Sequence, residues 1–303
     1  MCGRYAATKS PAALMQEFEA ADGTEGHAPT ENYNVAPTKN VVGVVERHPR
    51  DAEGNVDTEA QAERVLRVLR WGLVPFWAKD AAIGNRMINT RAETAADKPA
   101  FRKALSRRRC LIPADGWFEW KVGPVPEGQP KKKAPKEPFF MTGRDGSSLA
   151  FAGIWETWRD PKGEPDAPPL VTCSIITTEA RGQLTDVHDR MPLLLTPDRW
   201  HDWLDPDRTD VTSLLEPPGL DVVDALELRP VSTLVNNVRN NGPQLLDRAE
   251  PAVELDPDRA AEPDDTAESG DAAEPGDAAE PGDAAEPGDA GSEAALFDVP
   301  GAR

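Results

Sequence analysis

Eight short runs of strand character, at residues 40–46, 65–71, 110–112, 117–121, 138–142, 149–155, 170–176 and 226–231, limit the folds open to this chain more than any other feature. Helical patterns are fewer. Ser10-Pro11 supplies an N-cap and a first-turn proline ahead of Leu14, Met15 and Phe18 on one face. Thr196-Pro197 repeats that signal before Trp200, Trp203 and Leu204, and a third short helix is expected around 97–105, with Phe101 and Leu105 inward. Strands outnumber helices and do not alternate with them regularly. The expected class is α+β: a mainly antiparallel, barrel-like sheet core with flanking helices. Residues 48–63, 122–137 and 159–169 are rich in Pro, Gly and charge and read as surface insertions.

The end of the chain reads differently. Residues 270–290 repeat Gly-Asp-Ala-Ala-Glu-Pro, which offers no apolar period to bury and breaks any helix with Pro and Gly. The expected organisation is a folded domain over 1–249 and a disordered acidic tail over 250–303. Of the formal charge of −19, the tail carries 17 acids against two arginines, leaving 36 acids and 32 bases in 1–249. A near-neutral body can still gather a basic stripe, so the acidic composition does not exclude a polyanionic ligand. Near the end, Leu296 and Phe297 in "SEAALFDVP" are similar to the short Leu-Phe peptides that bacterial proteins insert into the sliding clamp. The usual leading Gln is absent, with Glu293 nearest in position. No run approaches the roughly 18 apolar residues of a membrane span, and residues 1–25 lack a signal-peptide pattern, so a cytoplasmic location is expected. Cys2, Cys110 and Cys173 are too few and scattered for a disulfide framework, and no CxxC or HxxxH pairing supports a metal.

Candidate chemistry sits in four places. Removal of Met1 would leave Cys2 first, with an α-amine of pKa roughly 7.7–8.0 beside a thiol near about 8.5. Such an amine can attack an aldehyde to give a Schiff base, and the neighbouring sulfur can close on the imine carbon to form a thiazolidine ring. In "DGWFEWK" (115–121), alternation puts Trp117, Glu119 and Lys121 on one face and Phe118 and Trp120 on the other. Glu119 is then either a proton-transfer group with a raised pKa or a rim carboxylate paired with Arg or Lys. In "TDVHDRMPL" (185–193), His188 stands among Asp186, Asp189 and Arg190, which could fix its tautomer and charge; a solvated or structural histidine fits as well. In "NRMINTRAET" (85–94), Asn89, Arg91 and Glu93 alternate on one strand face, as an oxyanion and phosphate site or as a polar edge. "WGLVPFWAKD" (71–80) places Trp71 and Trp77 near Lys79, as core or as a base-stacking surface.

"MCGR", "YNVAPT" (33–38), "WGLVPFWAKD", "INTRAET", "RCLIPADGWFEW" (109–120), "HDRMP" and "NNVRNNGPQL" (236–245) together resemble the SRAP family, the SOS-response-associated peptidase-like or abasic-site processing proteins. The resemblance covers residues 2 to about 246. It implies single-stranded DNA with abasic sites as partner, and a covalent thiazolidine crosslink through Cys2. It also implies a self-processing peptidase activity that exposes the cysteine. By motif, Cys2 is the nucleophile, Asn89 holds the opened sugar, Glu119 is the acid/base group, and His188 assists ring opening and Schiff-base chemistry. Arg4, Asn34, Pro37, Trp71, Trp77 and Arg91 are implied in DNA contact. No cofactor or metal is expected, and a monomer is. Two other readings stay open: a thiol peptidase using Cys2 and His188, and a non-enzymatic single-strand binder.

Overall fold

In the computed structural model the structure describes residues 2–123, 134–164 and 166–249. The chain divides into two units, Met1–Pro251 and Ala252–Arg303, and the described residues lie in the first. The expected tail, its repeat and the Leu296-Phe297 pair lie outside the described residues, as does most of the 122–137 insertion.

Thirteen strands are described: β1 Tyr5–Ala7, β2 Ala21–Asp22, β3 Asn32–Val35, β4 Asn40–Arg47, β5 Glu63–Trp71, β6 Asn89–Arg91, β7 Arg109–Ala114, β8 Gly116–Val122, β9 Lys136–Gly143, β10 Leu149–Trp158, β11 Leu170–Glu179, β12 Arg190–Pro192 and β13 Leu226–Pro230. Five α-helices accompany them: α1 Pro11–Phe18, α2 Ala92–Ala95, α3 Arg102–Arg107, α4 Pro197–Leu204 and α5 Leu220–Asp224. The larger sheet runs β12-β11-β10-β7-β4-β5-β2, with β6 also on β11. A parallel pairing, Thr172↔Arg70 and Cys173↔Trp71, joins β11 back to β5. β5, β4, β7, β10 and β11 therefore close into a ring, which is the expected barrel. The second sheet, β13-β9-β8-β1-β3, is antiparallel.

Alternation on the ring strands feeds two cores. Val41, Val45, Leu69, Trp71, Cys110, Ile112, Phe151, Cys173 and Ile175 share one cluster with Tyr5 and Trp117 of the second sheet and with Cys2, which precedes β1. Val44, Leu66, Leu111, Ala152, Ile154 and Ile176 face the other way, onto α1, α3 and α4. Successive residues thus serve opposite faces, as a pleated strand dictates. On the helical side Phe18 stacks on Trp200 with ring centroids 4.5 Å apart. Burying one such ring contributes about 1.5–3 kcal/mol.

The start signals of α1 act as the sequence suggests: Ser10 accepts from the Ala13 N–H at 3.3 Å, and Pro11 sits in the first turn. Thr196 precedes α4 without a side-chain cap bond. The helix expected over 97–105 is instead α3, beginning at Arg102. Pro99 disfavours helical backbone at Lys98, and the chain turns there before the helix starts. Phe101 and Leu105 are buried as expected.

Candidate functional site

β1 is too short to hold the N-terminus alone; its pairing with β8 does so. The antiparallel register Tyr5↔Trp117 and Ala6↔Gly116 carries Cys2 toward Glu119 and Trp120. Cys2 is fully buried in the barrel-side core. From the third side, β6 lies parallel on β11 through Asn89↔Ile175. Asn89 Nδ2 donates to the Cys2 carbonyl at 2.7 Å, while its buried Oδ1 has no hydrogen-bond partner among the described residues.

Electrostatics distinguish these groups. Glu119 is 3 % exposed, and its pKa is pushed up to about 7, chiefly by burial, with the charge of Asp189 adding to it. Burial raises the Cys2 thiol well above its ordinary range, and the Glu119 carboxylate raises it further. Both acids are therefore held toward their protonated forms. His188 is half-buried, and burial lowers its pKa. Its Nδ1 meets two groups with opposite demands: the Arg190 N–H at 2.9 Å needs a lone pair, and Asp189 Oδ1 at 2.8 Å needs a proton. The lowered pKa favours the neutral ring accepting from Arg190, which leaves the proton on Nε2.

Glu119 and His188 share a cavity of about 500 Å³ with Trp120, Val122, Lys136 and Asn236. A neighbouring cavity of about 740 Å³ shares Trp120, Val122 and His188 and adds Arg91, Asp189 and Arg190. A more voluminous cavity, about 900 Å³, lies among α1, α4, β9 and β10 and contains none of the candidate residues.

The six residues implied in DNA contact divide. Arg91 is exposed and lines the larger site cavity. Trp77 is 50 % exposed, next to Phe76 at 52 % and the exposed Lys79. Pro37 is half-buried just beyond β3. Arg4 donates to Asn34 Oδ1 at 2.7 Å and to the Val235 carbonyl at 2.9 Å, with its guanidinium 5.8 Å from the Trp120 ring centroid. Asn34 is buried and donates to the carbonyls of Val235, Asn237 and Asn240. Arg4 and Asn34 thus tie the 235–240 loop to the site. Trp71 is fully buried; its indole donates to the Ile88 carbonyl at 2.8 Å, and Tyr5 packs on its edge at 5.3 Å.

One local expectation changes. Asn89, Arg91 and Glu93 do not share a strand face, because β6 ends at Arg91 and α2 begins at Ala92. The turn into helix aims Glu93 at Arg190, which it grips at 2.6 and 3.0 Å. This pair, beside His188, and the half-buried Trp120, lining both cavities, were missed by residue-level reading. The adjacency of Trp120 to Glu119 was the available signal for one; the Glu93–Arg190 pair joins positions far apart in sequence and left none.

The buried Cys2 thiol, an amide on its backbone carbonyl, and a carboxyl and an imidazole lining one cavity make up a candidate site centred on a thiol. The chain belongs to the SRAP family, described as SOS response associated peptidase, whose model matches residues 1–238. The abasic site processing protein YoqW of Bacillus subtilis is 38% identical over 250 residues, covering 82% of this chain and 99% of that protein. The abasic site processing protein HMCES of Rattus norvegicus is 30% identical over 228 residues, covering 65% of this chain and 60% of that one. A crystal structure of a protein from Bacteroides thetaiotaomicron shares the fold, with a TM-score of 0.64 at 24% identity over 82% of this chain and all of the other.

Proposed function

We propose that this protein processes abasic sites by binding single-stranded DNA and capturing the lesion covalently through Cys2 once Met1 has been removed. The observation that carries this reading is the convergence of Asn89 and Glu119 on Cys2: an amide on the Cys2 carbonyl, and a buried carboxyl of pKa about 7 whose charge acts on the Cys2 thiol. The relatives' names as abasic site processing proteins support it.

The chemistry follows from those positions. His188, neutral with a proton on Nε2, helps open the deoxyribose ring and free its aldehyde, and Asn89 holds the resulting oxygen through its amide. The Cys2 amine adds to the aldehyde carbon. A proton from Glu119 lets the hydroxyl leave as water, giving an iminium. The Cys2 sulfur then attacks that carbon while Glu119 takes the thiol proton, and the nitrogen keeps its electron pair in a neutral thiazolidine. A carboxyl that titrates near neutral pH can give and take the proton in these two steps. Arg91 supplies a phosphate contact and Trp77 a stacking face, neither of which selects sequence.

A denaturing gel with an abasic oligonucleotide tests the reading. Wild type gives a stable shifted band and Cys2→Ala none; an undiminished band in Cys2→Ala overturns it. We also propose that the protein cleaves only its own Met1 bond, acts as a cytoplasmic monomer, and docks on a sliding clamp through Leu296 and Phe297, which lie outside the described residues. Clamp pulldown with and without residues 292–303 tests the last; equal recovery removes it.

A further inference from the structure

A cluster of arginines gathers around Trp155, where β4 ends at Arg47. On β4, Val41, Gly43, Val45 and Arg47 share the barrel-core face, and on β5 Arg67 falls between Val65 and Leu69 on that face. Arg108 precedes β7 in phase with Cys110 and Ile112, and its carbonyl accepts the Trp155 N–H at 2.9 Å. The Arg47 and Arg108 guanidinium carbons stand 5.7 and 5.8 Å from the Trp155 ring centroid. On β4, Arg47 lies six residues from Val41, roughly 20 Å along a strand; on β5, Arg67 lies four residues from the Trp71 that meets Tyr5.

The cations are crowded and under-compensated. Arg47 has its pKa lowered by burial and then by Arg67, Arg50 and Arg108. Arg108 pairs with Glu156, and Arg50 donates to the Gly54 carbonyl. Glu63 lies opposite Arg47 in register and is exposed, and Glu46 is turned toward Arg64. Among the described residues, no ion pair joins Arg47, Arg50 or Arg67 to an acid. A body with a slight excess of acid has nonetheless gathered like charges at one place, which raises its own repulsion and calls for a polyanion.

We propose that this arginine cluster is a second contact surface for the phosphate backbone of the DNA strand whose lesion is held at Cys2. A phosphodiester backbone fits because guanidiniums from β4, β5 and the residue before β7 spread over a surface, matching repeated phosphates. The two arginines at Trp155 occupy its ring, so the contact reads backbone and not bases. The proposal rests on the DNA-capture reading above.

The test uses single strands of about 3 nucleotides, with the lesion position central, and of about 25 nucleotides, the shorter reaching only about one phosphate to either side of the lesion. Their affinities for wild type and for an Arg47→Glu/Arg67→Glu variant are measured over a range of salt. The variant should lose about tenfold or more on the long strand, with a salt slope smaller by roughly 1.4, since each single-strand phosphate contributes about 0.7. Its affinity for the short strand, and its crosslinking to a short abasic strand, should match wild type. An equal loss on both lengths, or no loss on either, overturns the proposal. Should the variant fail to fold, wild type alone decides: equal salt slopes for the two lengths overturn it, and a steeper slope for the long strand that Arg47→Gln/Arg67→Gln flattens supports it. Wild type that never crosslinks the short abasic strand sinks the capture reading, whereas loss of length dependence with crosslinking intact sinks only this one.

Discussion

Glu119 shows what a buried carboxyl costs a fold. Its pKa of about 7 stands above the ordinary 4.5 of a glutamate because it is buried. Between those values the folded protein binds more protons than the unfolded chain, so stability falls as pH rises from about 4.5 to about 7 and then levels off. The shift corresponds to about 3 kcal/mol. Glu119→Gln, which cannot ionise, should therefore be more stable than wild type at pH 8, by up to that amount, with little difference at pH 4. Urea denaturation at the two pH values checks it; a variant equally or less stable at pH 8 would show that the carboxylate is well compensated. The same substitution should slow crosslinking more than it weakens DNA binding. "GWFEW" made it legible that Glu119 shares a strand face with Trp117, because strand alternation assigns faces from one dimension. Its role as proton donor or rim ion pair was not legible, because that depends on what lies across the cavity.

At the scale of elements, the connection from β5 to β6 starts just after Trp71 and carries Trp77, and its geometry depends on Gly72. That residue has φ 125°, and a Cβ there would stand 2.7 Å from the Gly84 carbonyl oxygen. Its N–H donates to Cys173 at 2.8 Å, beside the pairing that closes the barrel. Gly72→Ala should lower stability by about 2–4 kcal/mol through positive-φ strain and the backbone clash. It should also weaken DNA binding, by displacing Trp77, more than Cys2 reactivity toward a small aldehyde. A thermal melt and a binding titration read the two effects; an unchanged melting temperature would mean that the corner relaxes freely. The strands themselves were largely legible, since β4, β5, β10 and β11 carry long runs of strand-type residues. β6 was legible only in part: its polar alternation continues past Arg91, but the chain turns into α2 so that Glu93 can meet Arg190.

For the whole molecule, two cores back to back on one closed sheet leave all three thiols buried, with Cys110 and Cys173 inside the ring. Burial also raises the pKa of both, that of Cys110 well above its ordinary value. Neither should react with an alkylating agent at pH 8 until the protein unfolds as a unit, so their labelling rates should track the unfolding equilibrium across a urea series. Mass spectrometry of peptides after timed alkylation reads this. Labelling of Cys173 in native buffer as fast as in the unfolded chain would show that the β5–β11 seam opens locally.

The sequence by itself determined the class of fold, the faces of most strands, and the residue types at the site, because each rests on local periodicity and on motifs written in consecutive residues. Tertiary structure alone decided that β11 returns to β5 and closes a barrel, that Asn34 and Arg4 serve the 235–240 loop, that Trp71 is core, and that Arg47, Arg67 and Arg108 meet around Trp155. Those outcomes depend on pairings between residues distant along the chain. Burial, charge crowding and shifted acidity arise only when such partners come within a few ångströms of each other.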